Sequence, residues 1–127
     1  MPSTDLVPSK QGVPTRLKLA IRCLEGKTAL AVHFGDHFMA SSKYGNWGHV
    51  TYRIDRNAAV ADGWVHSSDN EELSVEGPGA VRLALQLVSA NSFLIRATPF
   101  GEGPLTVTFD MQGFDAAIAL LRSSCRW

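Results

Sequence analysis

Apolar and polar residues alternate with a period of two along several short stretches of this chain, and a backbone with that pattern has one face to bury and one to leave in water. Leu17, Leu19, Ile21 and Cys23 stand between Lys18, Ala20 and Arg22, and Leu30, Val32 and Phe34 share one face of the stretch from Ala29 to Phe34. Val50, Tyr52 and Ile54 alternate with Thr51, Arg53 and Asp55. Phe93, Ile95 and Ala97 alternate with Arg96 and Thr98, and Leu105, Val107 and Phe109 with Thr106 and Thr108. Glu25-Gly26-Lys27 joins the first two stretches and Pro99 to Pro104 the last two, which predicts antiparallel hairpins.

The remaining segments carry weaker signals. His37 to Ser42 reads as a short third strand, and Lys43 to Gly48 as a turn-rich loop. Asp62-Gly63 reads as a break, with Trp64 to His66 and Leu73 to Val75 as short strands around the polar turn Ser67 to Asn70. Ala80 to Ser89 fits both periods, and its Ala and Leu content after Gly77-Pro78-Gly79 favours a helix. Phe114, Ala117, Ile118, Leu121 and Cys125 fall on one helical stripe, with Asp115 and Arg122 placed to complement the helix dipole. The expected fold is therefore α+β and β-rich: an antiparallel sheet or sandwich of about six to eight strands with two packing helices, the second C-terminal. Met1 to Pro14, with three prolines, reads as a flexible arm, and residues 15–127 as a single domain.

Composition narrows the function classes. The chain has 127 residues and matches 12 basic side chains with 12 acidic ones, so neither a nucleic-acid-binding surface nor a nucleic-acid mimic is indicated. No apolar run is long enough to predict a membrane span. A net charge of zero leaves no long-range pull, so any recognition is expected to depend on short-range contacts and to change little with salt. The two cysteines, Cys23 and Cys125, both fall on core-facing stripes. They suit either one bridge, closing a loop of about 100 residues and worth up to about 4.7 kcal/mol, or two buried free thiols in a reducing compartment.

Candidate chemistry is sparse. His33, Asp36 and His37 are metal-ligand types, but a strand followed by the Gly35 turn gives them no shared face, and they read as a solvent-exposed hairpin tip. His49 and His66 read as strand-edge side chains. Ser67, Ser68 and Cys125 lack a nucleophile elbow, Glu71 and Glu72 read as solvated charges, and neither glycine cluster has phosphate-loop spacing. No catalysis, metal or cofactor is expected. The group of most interest is Arg53 and Asp55 with Asp69, Asn70, Arg96 and Thr98. Two readings stay open for it: a salt-bridged network that pins the polar face of the sheet, or a shallow pocket whose guanidinium groups grip a carboxylate or peptide end. Tyr44, Trp47 and Trp64 supply an aromatic rim in the second reading and core caps in the first.

Five blocks, taken in order, resemble the VasI family of type VI secretion-associated accessory proteins over Leu17 to Trp127. They are Leu19 to Cys23, Val50 to Asp55, Ser67 to Asn70, Ile95 to Phe100, and Phe109 to Gly113 with Leu121 to Trp127. The resemblance implies a disulfide between Cys23 and Cys125, with Trp127 sealing the helix end against the sheet. It also implies a periplasmic or envelope location if an export signal preceded this sequence, against a cytoplasmic one if Met1 is the native start. The expected role is a non-catalytic adaptor that binds another protein through Tyr44, Trp47, Arg53, Asp69, Asn70 and Arg96. The alternative is a small inhibitor, of immunity or anti-defence type, that occludes a partner's surface.

Overall fold

The computed structural model describes residues 1–39 and 47–127, with the side chain of Trp47 outside that description. Strands β1 (Lys18–Leu24) and β2 (Lys27–His33) form the first hairpin. Its two-residue turn has both Glu25 and Gly26 at positive φ, 53° and 77°, the backbone twist that matches a right-handed strand pair. β3 (Trp47–Ile54), β4 (Val60–His66) and β5 (Glu72–Glu76) follow, then α1 (Pro78–Val88), β6 (Ser92–Ala97), β7 (Leu105–Asp110), α2 (Phe114–Ala117) and α3 (Ala119–Cys125). All the strand pairs are antiparallel and build one seven-stranded sheet in the order β1-β2-β5-β4-β3-β6-β7, curled into a half-barrel.

The period-two residues line the inner face. Leu19, Leu30, Val32, Val50, Trp64, Leu73, Phe93, Ile95, Val107 and Phe109 are buried there against Ala80, Leu83, Ala84 and Leu87 of α1. Burial of these side chains stabilises the fold by roughly 1.5–3 kcal/mol for each large one. Gly48 sits on the same inner face where a Cβ would lie 2.7 Å from a Leu73 methyl, so any side chain there requires Leu73 to shift.

One alternative is settled and three expectations are corrected in detail. The choice between sheet and sandwich falls to a single sheet, because the strand ladder is continuous from β1 to β7. Asp62-Gly63 lies inside β4, Gly63 facing His49 across the pair, while Asp62 accepts hydrogen bonds from the Gly63 N–H and the Trp64 indole. His37 to Met39 forms no strand, and the rest of that stretch lies outside the described residues. The C-terminal stripe is split at Ile118 (φ −100°), leaving Phe114 and Ile118 buried, Ala117 exposed, and Leu121 and Cys125 half-buried. The bend turns α3 toward β1, which is where Cys125 must arrive to meet Cys23.

The first residues hydrogen-bond to the sheet edges. Ser3 N–H donates to Leu17 C=O at 2.7 Å and Leu19 N–H to Met1 C=O at 2.7 Å, pairing this segment with the outer edge of β1. One residue on, Thr4 N–H donates to Thr108 C=O at 2.8 Å, and Thr108 N–H to the Asp5 carboxylate at 2.8 Å, on the outer edge of β7. Residues 1–5 thus bridge the two edge strands of the half-barrel, and Val7 is buried beyond them. Prolines preclude a regular ladder here but not isolated edge pairing.

Candidate functional site

The strands bring four segments to one end of the sheet: residues 34–39 after β2, the β4–β5 turn, the β6–β7 loop, and the N-terminal segment. His37 ties three of them together. Its ring is 3% exposed, with Nε2 2.7 Å from the Pro8 carbonyl oxygen and Nδ1 2.9 and 3.1 Å from the two Glu102 carboxylate oxygens. Both ring nitrogens face oxygen atoms, one of the Pro8 carbonyl and the other of the Glu102 carboxylate. His37 is therefore an internal clasp and not an exposed hairpin tip.

The suspected metal group is dispersed. His33 Nδ1 accepts from the Gly35 N–H at 3.1 Å, and Asp36 accepts from the Lys10 N–H at 3.0 Å, a bond that lowers its carboxyl below the usual range. What does converge is His33 with Asp69 and Glu71, whose ligand-type atoms lie within 4.8 Å of one another. Asp69 Oδ1 already takes the Ser67 hydroxyl and the Glu71 N–H, and the first of these bonds holds its carboxyl low. These bonds belong to the β4–β5 turn itself.

Asn70 ends that turn with φ 61°, and its carbonyl oxygen accepts from Met39 N–H at 2.6 Å. Arg53 stands at the other end of the sheet: Nε donates to Asn57 C=O at 2.9 Å and Nη2 to Arg56 C=O at 3.4 Å. Asp55, beside it, accepts from the Asn91 and Ser92 N–H groups, each at 2.9 Å. Arg96 is exposed in mid-sheet between Thr51 and Thr106. The structure therefore does not bring Asp69 and Asn70 over Arg53. The antiparallel β3–β4 pairing sets Trp47 opposite Val65 and Tyr52 opposite Val60, and so puts Arg53 and the β4–β5 turn at opposite ends.

The pinning network exists elsewhere. Arg22 on β1 donates from Nη1 to Glu72 Oε1 at 2.8 Å and from Nη2 to Oε2 at 2.6 Å, reaching β5 across β2. Only small residues lie on the outer face in between, Ala29 and Ala31 of β2 and Ser74 of β5. The guanidinium holds the Glu72 carboxyl below its ordinary range against the opposing effect of burial. A pair four strand positions and two strands apart leaves no local spacing to read.

Of the suspected aromatic rim, Trp64 is a core residue with its indole on Asp62, Tyr44 lies outside the described residues, and Trp47 begins β3. Two aromatic residues that sequence reasoning missed are exposed at the loop end: Phe38 at 40% and Phe100 at 60%. Their rings meet edge to face with centroids 6.2 Å apart, and Phe100 N–H donates to Phe38 C=O at 2.8 Å. Their one sequence signal is a large ring inside turn-rich, polar surroundings.

At the far end Cys23 and Cys125 form a disulfide with Cα atoms 5.9 Å apart. Trp127 Nε1 donates to the Thr28 hydroxyl at 2.8 Å, and the Arg122 guanidinium lies 5.3 Å from the Trp127 ring centroid.

These features define a small disulfide-stapled half-barrel with one looped, aromatic end. The family model described as "Type VI secretion system VasI, EvfG" matches residues 3–127. The chain belongs to the VasI family, which is associated with type VI secretion. Among solved structures, the crystal structure of invasion-associated protein B from Bartonella henselae is similar in fold at TM-score 0.56 and 13% identity, covering 96% of this chain and 84% of that one. No curated protein matches the chain.

Proposed function

We propose that this protein is a non-catalytic accessory of type VI secretion that works in the cell envelope by binding another protein through its loop end. The observation that carries this reading is the Phe38–Phe100 pair, two large rings left in water, with Phe38 a few positions before Tyr44 and Trp47 in the sequence. Aromatic side chains concentrate binding energy at interfaces, and here two of them are exposed together. Asp69 and Asn70 belong to the same end and supply a polar rim. Arg96 lies toward it on the outer face, while Arg53 acts on its own turn. The disulfide supports an oxidising compartment.

The test is co-purification of the cross-linked protein from its native host, comparing wild type with Phe38→Ala/Phe100→Ala and with Trp47→Ala. Loss of a secretion-machinery partner in the variants, with melting temperature retained, supports the adaptor role; Trp47→Ala is expected to cost about 1–3 kcal/mol of binding. Unchanged capture in both variants removes this surface. Capture of a toxin or defence enzyme instead makes the protein an inhibitor.

A further inference from the structure

We propose that the outer face of the sheet beside β1 carries a second binding site, one that takes the side-chain carboxylates of an acidic peptide segment. It rests on none of the loop-end aromatics, so the two readings fail separately. A pocket of about 360 Å³ opens there, lined by Arg16, Lys18, Ala20, Arg22, His33 and Glu72 among others. The chain as a whole is neutral, yet the lining sets three cationic side chains, Arg16, Lys18 and Arg22, against the one carboxylate of Glu72, with the Asp69 and Glu71 carboxylates lying beside its His33 margin.

The bonding shows which charges remain available. Both Glu72 oxygens are taken by Arg22, so that pair is satisfied internally and forms a rigid wall. Arg16 Nη1 donates to the carbonyl oxygens of Ser3 and Thr4 at 2.9 and 2.7 Å; neutral acceptors orient its guanidinium and leave its charge uncancelled. The Lys18 ammonium has no ion-pair or hydrogen-bond partner among the described residues. Ala20, between Lys18 and Arg22 on the same face of β1, leaves the floor low enough for a ligand to reach both walls.

The same arrangement selects the form of the ligand. At Leu17 and Leu19 the edge of β1 is already taken by Met1 and Ser3, so a chain arriving beside Lys18 meets the pocket through its side chains. A preoriented guanidinium beside a mobile ammonium favours carboxylates presented at short range.

The experiment is isothermal titration and amide chemical-shift mapping of the full chain with an acetylated Asp-Glu-Asp-Glu amide. Its isosteric Asn-Gln-Asn-Gln counterpart and inorganic phosphate are the other arms. We expect saturable binding of the acidic peptide alone, weakened by added salt, with shifts at Lys18, Ala20, Arg22 and His33. Lys18→Glu should weaken it about tenfold or more at unchanged melting temperature, and Arg56→Glu, the same charge change on a distant turn, should not. Should Lys18→Glu lower the melting temperature, Lys18→Gln carries the comparison. Absence of saturable binding, equal binding of the amide peptide or of phosphate, or an equal loss on Arg56→Glu overturns the proposal.

Discussion

Glu72 and His37 hold this molecule together at single residues, by contacts that join segments far apart in sequence. Glu72 has a carboxyl lowered by the Arg22 hydrogen bonds, so the folded state binds its proton less readily than the unfolded one. The stability it contributes is present above the ordinary carboxylate pKa and is lost as pH falls through that range toward the lowered folded value. Arg22 is partly exposed, which limits the pair to about 1 kcal/mol. Glu72→Gln is expected to remove that increment at neutral pH and to flatten the acid limb of stability against pH, read by urea unfolding across the carboxylate range; an unchanged acid limb would mean that other carboxylates control it. His37→Ala leaves the Pro8 carbonyl and Glu102 without their partner and is expected to cost about 1–3 kcal/mol. Hydrogen exchange should then quicken in the N-terminal segment and the β6–β7 loop together, and quickening in neither would deny the clasp.

Among the elements, α3 is the least anchored by packing. It buries no residue fully, and its attachment runs through Cys125, Trp127 and the bend at Ile118. The disulfide closes a loop spanning 102 sequence positions, for which chain entropy predicts a contribution of about 4–5 kcal/mol at most. Reduction, or Cys23→Ser/Cys125→Ser, is expected to lower the melting temperature and free α3 first, seen as loss of amide protection in Ala119–Cys125 before the sheet opens. Free-thiol titration of protein made under oxidising conditions should find no reactive thiol; two would contradict the bridge. By contrast α1 rests on Ala80, Leu83, Ala84 and Leu87, all buried, and its protection should not change on reduction.

At the scale of the whole molecule, the half-barrel has two edge strands, and residues 1–5 hydrogen-bond to both. An unpaired strand edge is a template for another chain. Removing residues 1–5 is expected to lower stability and to shift the protein toward larger assemblies on gel filtration than the full chain forms, with edge exposure as the cause. A truncated chain of unchanged elution and melting temperature would show that the seam contributes nothing.

Most of the strands, the β1–β2 hairpin turn, the helix over α1 and most of the core were legible in the sequence, because period and turn chemistry act within a few residues: Leu30-Val32-Phe34 has one buried face whatever its neighbours are. Which strands sit side by side is set by long-range pairing, and that decided the site. Arg53 and Asp69 look like companions along the chain, yet the β3–β4 register carries them to opposite ends, while Arg22 and Glu72 meet over a strip of alanines that no local pattern announces. The prolines of Met1 to Pro14 signalled a lack of regular structure and could not signal docking, since the acceptors and donors that hold Ser3 and Thr4 belong to residues 17 and 108. Local sequence determined the faces and the turns of this protein; the closing of the sheet, the clasp at His37 and the exposed ring pair were decided by tertiary structure, because each depends on groups that come together only once the sheet is ordered.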